Sequence, residues 1–266
     1  MLILALESSA KPASVAVCSD GEMLGQYFQN SALTHSRTLL AMAESLLKNL
    51  GINAADIELV AVSRGPGSFT GIRIGVSAAK GLAWGIGKPV CGVSTLEAMA
   101  YQTQGIAALV CPVMDARRGQ VYNALFACGN GKPTRLCEDR AISLQDLAGE
   151  LRAHPTNSTY SPPPDSARPL SLPYSPPPDS ALPPLPSSCA PGSPLLLVGD
   201  GADKSLEYLE SAGIPCIVAP SLIRWQTAYG VALAALHAEA IPPAELEPCY
   251  LRPSQAERER ANHGAL

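Results

Sequence analysis

Charged residues are scarce in this sequence, at 16% of 266 positions, and aromatic residues make up only 5%. Apolar residues reach 47%, which is typical of a folded globular chain and excludes extended disorder or a coiled coil for most of it. Lys and Arg number 19 against 23 Asp and Glu, so the net charge is −4. No positive field of the whole molecule is therefore available to hold RNA, and tight autonomous RNA binding is not expected.

Sequence patterns that hold metals or build common catalytic sets are also missing. Eight cysteines occur without a C-x-x-C pair and without a close histidine, which excludes the usual zinc spacings and a dense disulfide framework. The four histidines are widely scattered, and no G-x-S-x-G motif is present. We therefore predict no metal site, no catalytic residue set, and thiols that are reduced and mostly buried.

The chain also shows no feature of export or of membrane insertion. Its first residues, MLILALESSA, lack a cationic region, and no run approaches the roughly 18 apolar residues that a membrane helix needs. Together with the cysteine usage, this predicts a cytoplasmic protein that makes no contact with a membrane.

Proline and serine dominate one stretch, residues 154–194, in which YSPPPDSA occurs at 160–167 and again at 174–181. Such a composition favours extended polyproline conformations and offers no face for a core. The stretch is interpreted as a low-complexity surface insertion. The alternative is a Pro-rich ligand for an aromatic-lined groove on another protein.

Outside this stretch, short apolar runs alternate with amphipathic stretches, which predicts a mixed α/β fold. Two hairpins, each a strand, a polar turn and a strand, are expected near the beginning of each half. The predicted strands are 2–6, 14–18, 23–28, 57–62, 90–93, 109–115, 120–127, 195–198 and 216–218. Five helices are predicted. The first is 35–50, capped by Thr34 and stopped by Gly51, and the second runs from the glycine-rich turn 63–71 to about residue 84. The third follows strand 90–93, and the last two are 202–212 and 227–239.

Two segments are candidates for a phosphate or nucleotide cleft. Glu7, Ser8 and Ser9 close the first strand, where backbone amides and hydroxyls suit an anion. The second segment is a glycine-rich loop that opens a helix, another anion-binding geometry. The alternatives are ordinary turn formers for the first segment and a tight structural turn for the second. The remaining candidate cleft residues are Gly65, Gly67 and Ser68 in this loop and Asp115 in the second hairpin.

The first two long helices carry a candidate partner surface. Apolar residues on helix 35–50 cover an arc wider than the roughly 100° that one core contact needs. Small residues on the next helix form a seam that admits close approach of another helix. Dense packing inside the same subunit is the alternative. The candidate interface residues are Leu39, Met42 and Leu46 on the first helix and Gly71, Gly75, Ala78 and Ala79 on the second.

Seven segments, in this order, resemble the TsaB (YeaZ) family, and they span residues 2–252 apart from the Pro-rich stretch. The segments are ILALESS, THSRTLL, SRGPGSFTGIRIG, GVSTLEAMA, MDARRGQVY, LVGDG and EPCYLR. The resemblance implies the actin-like, sugar-kinase-like and ribonuclease H-like ATPase fold, with two α/β subdomains that face a cleft. The implied division is 1–102 with a C-terminal helix 226–252, then 103–225 interrupted by 154–194, and a tail 253–266.

The same resemblance implies a function in tRNA modification. Members of this family support the catalytic subunit TsaD, which transfers a threonylcarbamoyl group to the adenosine next to the anticodon in tRNAs that read codons beginning with A. The implied role is a non-catalytic heterodimer partner of TsaD that works with the ATPase TsaE. ATP is then used by the complex and not by a cofactor site of this chain, tRNA is contacted only through the complex, and the chain alone can form a homodimer.

One departure from TsaD implies that this chain is catalytically degenerate. TsaD holds a metal through an H-x-x-x-H pair, and the matching positions here are Thr95 and Met99, neither of which replaces an imidazole. Two other functions remain as alternatives, a small-molecule kinase of the same fold that uses Glu7 and Asp115, and a peptidase. The Pro-rich stretch and Ala41, where a proline is usual, depart from the family pattern.

Overall fold

A computed structural model describes residues 1–31, 33–153 and 195–252. The predicted Pro-rich insertion 154–194 and tail 253–266 lie outside the described residues. The described chain forms two β-sheets with helices on their faces, as the alternation of apolar patterns predicts. No helix in these three ranges combines the length and the apolarity that a membrane crossing requires.

The first sheet has five strands in the order β3-β2-β1-β4-β5. Its strands are β1 Leu2–Glu7, β2 Ala13–Ser19, β3 Glu22–Gln29, β4 Leu59–Gly65 and β5 Val90–Ser94. The central strand β1 pairs antiparallel with β2 and parallel with β4, so both of its edges are hydrogen-bonded. Its alternating side chains pack into a different core cluster on each face of the sheet. Its nearly unbroken apolar sequence fits this position. The predicted Asp20-Gly21 turn joins β2 to β3, with both residues at positive φ.

Three helices accompany this sheet: α1 His35–Leu50, α2 Phe69–Ile86 and α3 Thr95–Tyr101. Helix α1 has the predicted bounds because Gly51 adopts the left-handed conformation, with φ of 67°, and stops it. Thr34 stands at the N-cap position, but its side chain makes no cap hydrogen bond. Helix α2 is capped instead by the side chain of Ser68, which accepts from the Gly71 N–H at 3.3 Å.

The second sheet has its main strand order β10-β7-β6-β11-β12; in addition, β8 pairs with β6 and β9 pairs with β8. Its strands are β6 Ala108–Arg117, β7 Gln120–Asn123, β8 Phe126–Gly129, β9 Gly131–Arg135, β10 Arg140–Ser143, β11 Leu195–Val198 and β12 Cys216–Val218. The predicted strand 120–127 is wrong, because it is divided between β7 and β8. Pro112 in β6 lacks an N–H, and the Asn123 side chain donates to its carbonyl at 3.1 Å, so the ladder is interrupted there.

The described residues contain four further helices: α4 Leu144–Ala153, α5 Ala202–Ser211, α6 Ser221–Arg224 and α7 Ala228–Ala235. Helix α7 returns to the first sheet, where its apolar residues pack in one core cluster with those of β1 and β2. A C-terminal helix over 226–252 is wrong, because α7 ends at Ala235. Pro242, Pro243 and Pro248 cannot donate helical hydrogen bonds, and only a short 3₁₀ turn follows at Pro243–Glu245. The division into two subdomains stays a prediction.

Helix α3 connects the cores of the two halves. Ala98 and Tyr101 belong to the cluster on the first sheet, whereas Leu96 and Met99 belong to a cluster formed with strands of the second sheet. All four side chains are 3% exposed or less. Because one short helix contributes to both cores, the halves are joined by apolar packing as well as by the chain itself.

Candidate functional site

A cleft of about 840 Å³ opens between the two halves. Its volume lies in the range of small-molecule sites. One wall combines the β1–β2 turn with the beginning of α2, and the other combines the end of β6 with the loop after β11. The residues that line it are Ser9, Ala10, Lys11, His35, Gly67, Ser68, Phe69, Thr70, Met114, Asp115, Ala116, Arg117, Tyr122, Asp200, Cys249, Tyr250, Leu251 and Arg252.

The structure divides the seven candidate cleft residues into two groups. Those that line the cleft are Ser9, Gly67, Ser68 and Asp115. Those that do not line it are Glu7, Ser8 and Gly65. The members of the second group are buried, and each contacts another part of the chain, so direct contact with a ligand is not expected of them. Whether the first group binds a phosphate or a nucleotide stays a prediction.

Glu7 is fully buried beneath the β1–β2 turn. Its Oε1 accepts the Ser9 N–H at 2.6 Å, and its Oε2 accepts the hydroxyl of Ser63 on β4. Burial raises the pKa of the Glu7 carboxyl, and the bonds from Ser63 and Ser9 partly offset that rise. The side chain thus holds the turn against the neighbouring strand.

Ser8 and the small residues of α2 form a close contact between strand end and helix. The Ser8 hydroxyl donates to the Gly71 carbonyl at 2.9 Å. A Cβ on Gly71 would overlap the Ser8 carbonyl oxygen, and a Cβ on Gly75 would overlap the Ser8 hydroxyl. These glycines therefore allow β1 to end directly beneath α2.

The loop before α2 is pressed equally closely against the turn. Ser68 donates its N–H to the Ser9 carbonyl at 2.6 Å. Gly67, at φ of 156°, has no room for a Cβ because Ser9 lies against it. The predicted tight structural turn and the predicted cleft wall are thus the same feature.

The opposite wall carries two carboxylates. Asp115 on β6 forms an ion pair with Lys204 at 3.6 Å. Asp200 accepts a hydrogen bond from the Gln226 side chain at 2.9 Å. Burial raises the pKa of Asp200, and the nearby charge of Asp115 adds to that rise. This wall therefore favours donors or cations rather than a second anion.

A C-terminal strap, residues 249–252, crosses the cleft from one half to the other. Cys249 donates its N–H to the carbonyl of Arg64 at 2.6 Å on the first half, and Arg252 donates to the carbonyl of Ala116 at 2.7 Å on the second. Tyr250 accepts a hydrogen bond from Arg73 at 2.8 Å. Sequence reasoning missed the strap as a site element, because EPCYLR carries neither a periodicity nor a turn motif that indicates its position.

The candidate partner surface needs correction. The residues that the structure buries in the chain's own core are Leu39, Leu46, Gly71, Gly75 and Ala79. Met42 and Ala78 are half-buried. The predicted apolar arc is wide because α1 packs against β2, β3 and α2 at once, and the small-residue seam receives the end of β1. Buried side chains cannot form the contact surface of a partner.

A groove of about 600 Å³ nevertheless lies between α1 and α2. It begins beside the cleft, since His35, Phe69 and Thr70 line both. Leu40 lines it with 48% of its side chain exposed, and Trp84, farther along α2, is 71% exposed. The exposed face of the two helices is thus next to the residues that the sequence indicated.

The two positions that the sequence analysis matched to the metal-binding pair of TsaD lie in the core. Thr95 is 0% exposed and Met99 is 1% exposed, both on α3. In the part of the chain that the structure describes, no group of three or more His, Cys, Asp or Glu side chains is arranged to hold a metal ion.

Comparison with known proteins places the sequence among tRNA-modification proteins. Residues 27–163, just over half of the chain, match the family described as "TsaD: tRNA N6-adenosine threonylcarbamoyltransferase". The "tRNA threonylcarbamoyladenosine biosynthesis protein TsaB" of Bacillus subtilis is 35% identical over 152 residues, 57% of this chain and 66% of that protein. The Escherichia coli protein of the same name is 41% identical over 129 residues, 47% of this chain and 55% of its own length. The alignments thus span between about half and two thirds of these relatives.

A solved structure extends the likeness to almost the whole fold. "YeaZ from Pseudomonas aeruginosa" matches with a TM-score of 0.66 at 24% identity, covering 94% of this chain and 99% of that one. The α/β fold class with two halves around a cleft, expected from the resemblance to an actin-like family, is confirmed.

Proposed function

The chain belongs to the TsaB (YeaZ) family, within the larger family described as TsaD: tRNA N6-adenosine threonylcarbamoyltransferase, and from this membership we propose that it acts in tRNA threonylcarbamoyladenosine biosynthesis. Its role is that of a non-catalytic subunit that binds a TsaD-like catalytic subunit. A TsaE-like ATPase joins the pair, ATP is used by the complex, and tRNA contacts this chain only as part of the complex.

The non-catalytic role is supported by the side chains on α3. Thr95 and Met99 replace the metal-binding histidines of TsaD, and Met99 packs in an apolar cluster between the halves. A thioether in such a cluster fills space and offers no imidazole to a metal ion. Chemistry at the tRNA is therefore assigned to the partner.

The exposed face of α1 and α2 is the observation that carries the proposed partnership. Leu40 lines an apolar groove between the helices, and Ser77 and Ala78 keep the α2 side of that groove shallow. Trp84 lies seven residues after Ser77, two turns along the same side of α2. An exposed apolar groove bounded by small residues fits two helices of a related subunit. In the absence of that subunit, a second copy of this chain can occupy the same face.

The test is a binding titration with a TsaD-like subunit. Leu40→Asp places a charge in the groove without disturbing the core, since the side chain is half exposed. We expect binding to weaken about thirtyfold, the size of an interface hot spot. Leu222→Asp is the matched control, because Leu222 is 91% exposed on α6, far along the chain from either helix.

The comparison of the two variants decides the assignment. If Leu40→Asp melts like the parent chain and binds with the affinity of Leu222→Asp, the partner contacts another surface. Reconstituted tRNA modification, measured with each variant, should follow the binding result. Full modification in the absence of this chain would overturn the proposed function itself.

A further inference from the structure

The C-terminal strap, residues 249–252, is fixed to the first half of the molecule at several points. Just before it, Leu246 is 1% exposed in a core cluster of the first sheet, and its carbonyl accepts a hydrogen bond from Lys80 on α2 at 3.0 Å. Within the strap, Cys249 donates its N–H to the carbonyl of Arg64 at 2.6 Å. The strap therefore starts from a firm base on the first half.

Tyr250 adds an aromatic anchor on the same half. The centroids of its ring and of the Phe69 ring are 4.8 Å apart, and Cζ of Arg73 lies 3.9 Å from the Phe69 centroid. Nε of Arg73 also donates to the Tyr250 hydroxyl at 2.8 Å. Stacked rings and a guanidinium hold a defined geometry. This anchor directs the next residues of the strap across the cleft.

One hydrogen bond joins the strap to the second half. Among the described residues, the strap bonds to that half where Nη1 of Arg252 donates to the carbonyl of Ala116 at 2.7 Å, close to the tip of the second hairpin. A charged donor makes this bond stronger than a neutral one would. Arg252 is nevertheless half-buried, so water can take the place of the carbonyl. The strap can thus release the second half while it stays on the first.

A more extensive connection between the halves lies at α3. Apolar side chains of this helix pack in the cores of both halves. At its N-terminal end, Arg135 on β9 donates to Glu97 at 2.9 Å, and the Ser94 hydroxyl donates to Asp139. Buried packing supported by ion pairs opens less readily than one exposed hydrogen bond. A motion of the halves would therefore turn about α3 and separate them at the strap.

We propose that the strap is a latch that sets how far the cleft between the two halves opens. In the latched state, which this structure shows, Arg252 holds the carbonyl of Ala116. In the open state, the strap stays on the first half and the second half turns about α3. Loss of this one charged hydrogen bond should shift the ratio of latched to open molecules about tenfold. The latch belongs to the chain alone and does not depend on the proposed partnership.

The distance between the halves in solution tests the latch. Nitroxide labels carried by unnatural amino acids replace Lys48 on α1 and Glu207 on α5, two exposed positions outside the cleft, so the native cysteines stay unlabelled. Pulsed electron resonance then measures the distribution of distances in the full chain. In Arg252→Ala we expect an added population displaced by more than about 2 Å, the size of a domain rearrangement. Arg252→Lys keeps a cationic donor and should restore the parent distribution.

Arg152→Ala is the matched control. Arg152 also donates to a backbone carbonyl, that of Ala212 at 2.8 Å, but both groups belong to the second half. Its removal should leave the distance distribution unchanged. Thermal melting of each variant shows that it is folded before the distances are compared.

A second change in the strap separates a latch from a general loosening of the chain. Tyr250→Ala removes the anchor and should add the same displaced population as Arg252→Ala. The double variant should add no more than either single one, because both residues act in one latch. The proposal fails if Arg252→Ala keeps the parent distribution, if Arg152→Ala changes it as much, or if the effects of the two strap substitutions add.

Discussion

The two turns that face each other across the cleft differ in how deeply their residues are buried. In the first, Glu7, Ser8 and Ser9 are at most 1% exposed and bonded to β4 and α2. In the second, Asp115 and Arg117 are exposed, and the backbone of Arg117, Arg118 and Gly119 lies in the left-handed region. The beginning of the first turn is part of the core and only Lys11 in it is exposed, whereas the second turn projects into the cleft with several exposed residues.

The position of one glycine contact explains this difference. In the first half, Gly71 packs on Ser8, which directly follows β1, so the turn lies beneath α2. In the second half, a similarly close contact is made by Gly199, in the loop between β11 and α5, on Val113, four residues before β6 ends at Arg117. The tip of the second hairpin therefore extends beyond the helix that follows β11. Two hairpins with the same sequence pattern differ because a helix covers only one of their turns.

The largest expected effect comes from breaking the contact that buries the first turn. Gly71→Ala forces a Cβ against the Ser8 carbonyl, where both groups are backbone-fixed, and we expect the free energy of unfolding to fall by about 3 kcal/mol. Gly81→Ala is the matched control in the same helix. Its Cβ would meet nothing within 4 Å, so the change should raise stability by about 0.5–1 kcal/mol.

Urea unfolding of both variants measures this difference. If Gly71→Ala is as stable as Gly81→Ala, β1 does not end tightly beneath α2, and the account of the buried turn is wrong. The comparison is sharp because both substitutions add the same methyl group to the same helix.

The sequence predicted the helices and strands whose ends are set by residues with special backbone conformations. Gly51 fixed the end of α1, and the Asp20-Gly21 turn fixed the first hairpin, because both residues act through their own backbone. Strand 120–127 was not resolved into two, because its division depends on Pro112 in a different strand. No prediction was made for β9, β10 and α4, although the Ser143 hydroxyl caps α4 by accepting the Asp146 N–H at 3.0 Å.

The site was harder to predict than the fold, because the sequence pattern cannot tell which neighbour a residue meets. The seam at Gly71 and Gly75 was correctly interpreted as a place of close approach, but the approaching group is Ser8 of the same chain. For the same reason Glu7 was assigned to the cleft although it points toward β4. The sequence pattern predicts which residues lie at the end of a strand, next to the cleft. Only tertiary packing decides which of these residues remain accessible to a ligand in the cleft.

A smaller effect concerns the buried carboxyl of the first turn. Because burial raises the pKa of Glu7 in the folded state, its contribution to stability is fully present below the ordinary glutamate pKa and is lost as pH rises through the raised value. Glu7→Gln removes that dependence. At low pH we expect the variant to be about 1 kcal/mol less stable than the parent, because one amide hydrogen has no acceptor there. The gap should close as the pH rises.

Urea unfolding at a series of pH values measures this gap. Asp115→Asn at the exposed second turn is the control, since it removes a carboxyl without leaving a buried group unpaired. If the difference between Glu7→Gln and the parent stays constant from acidic to neutral pH, the Glu7 carboxyl does not bind its proton more tightly in the folded chain.

The smallest expected effect tests the open turn. Arg118 holds φ at 56°, a conformation that costs an L-residue about 1–2 kcal/mol and that glycine adopts freely. Arg118→Gly removes this cost but adds freedom to the unfolded chain, so a net gain of about 0.5 kcal/mol is expected. Arg118→Ala keeps the cost and should bring no gain.

At the first turn, Ala10 is 7% exposed and has no positive φ, so Ala10→Gly should lower stability instead. Thermal and urea unfolding measure all three variants, and a gain at both turns would show that they do not differ in backbone strain.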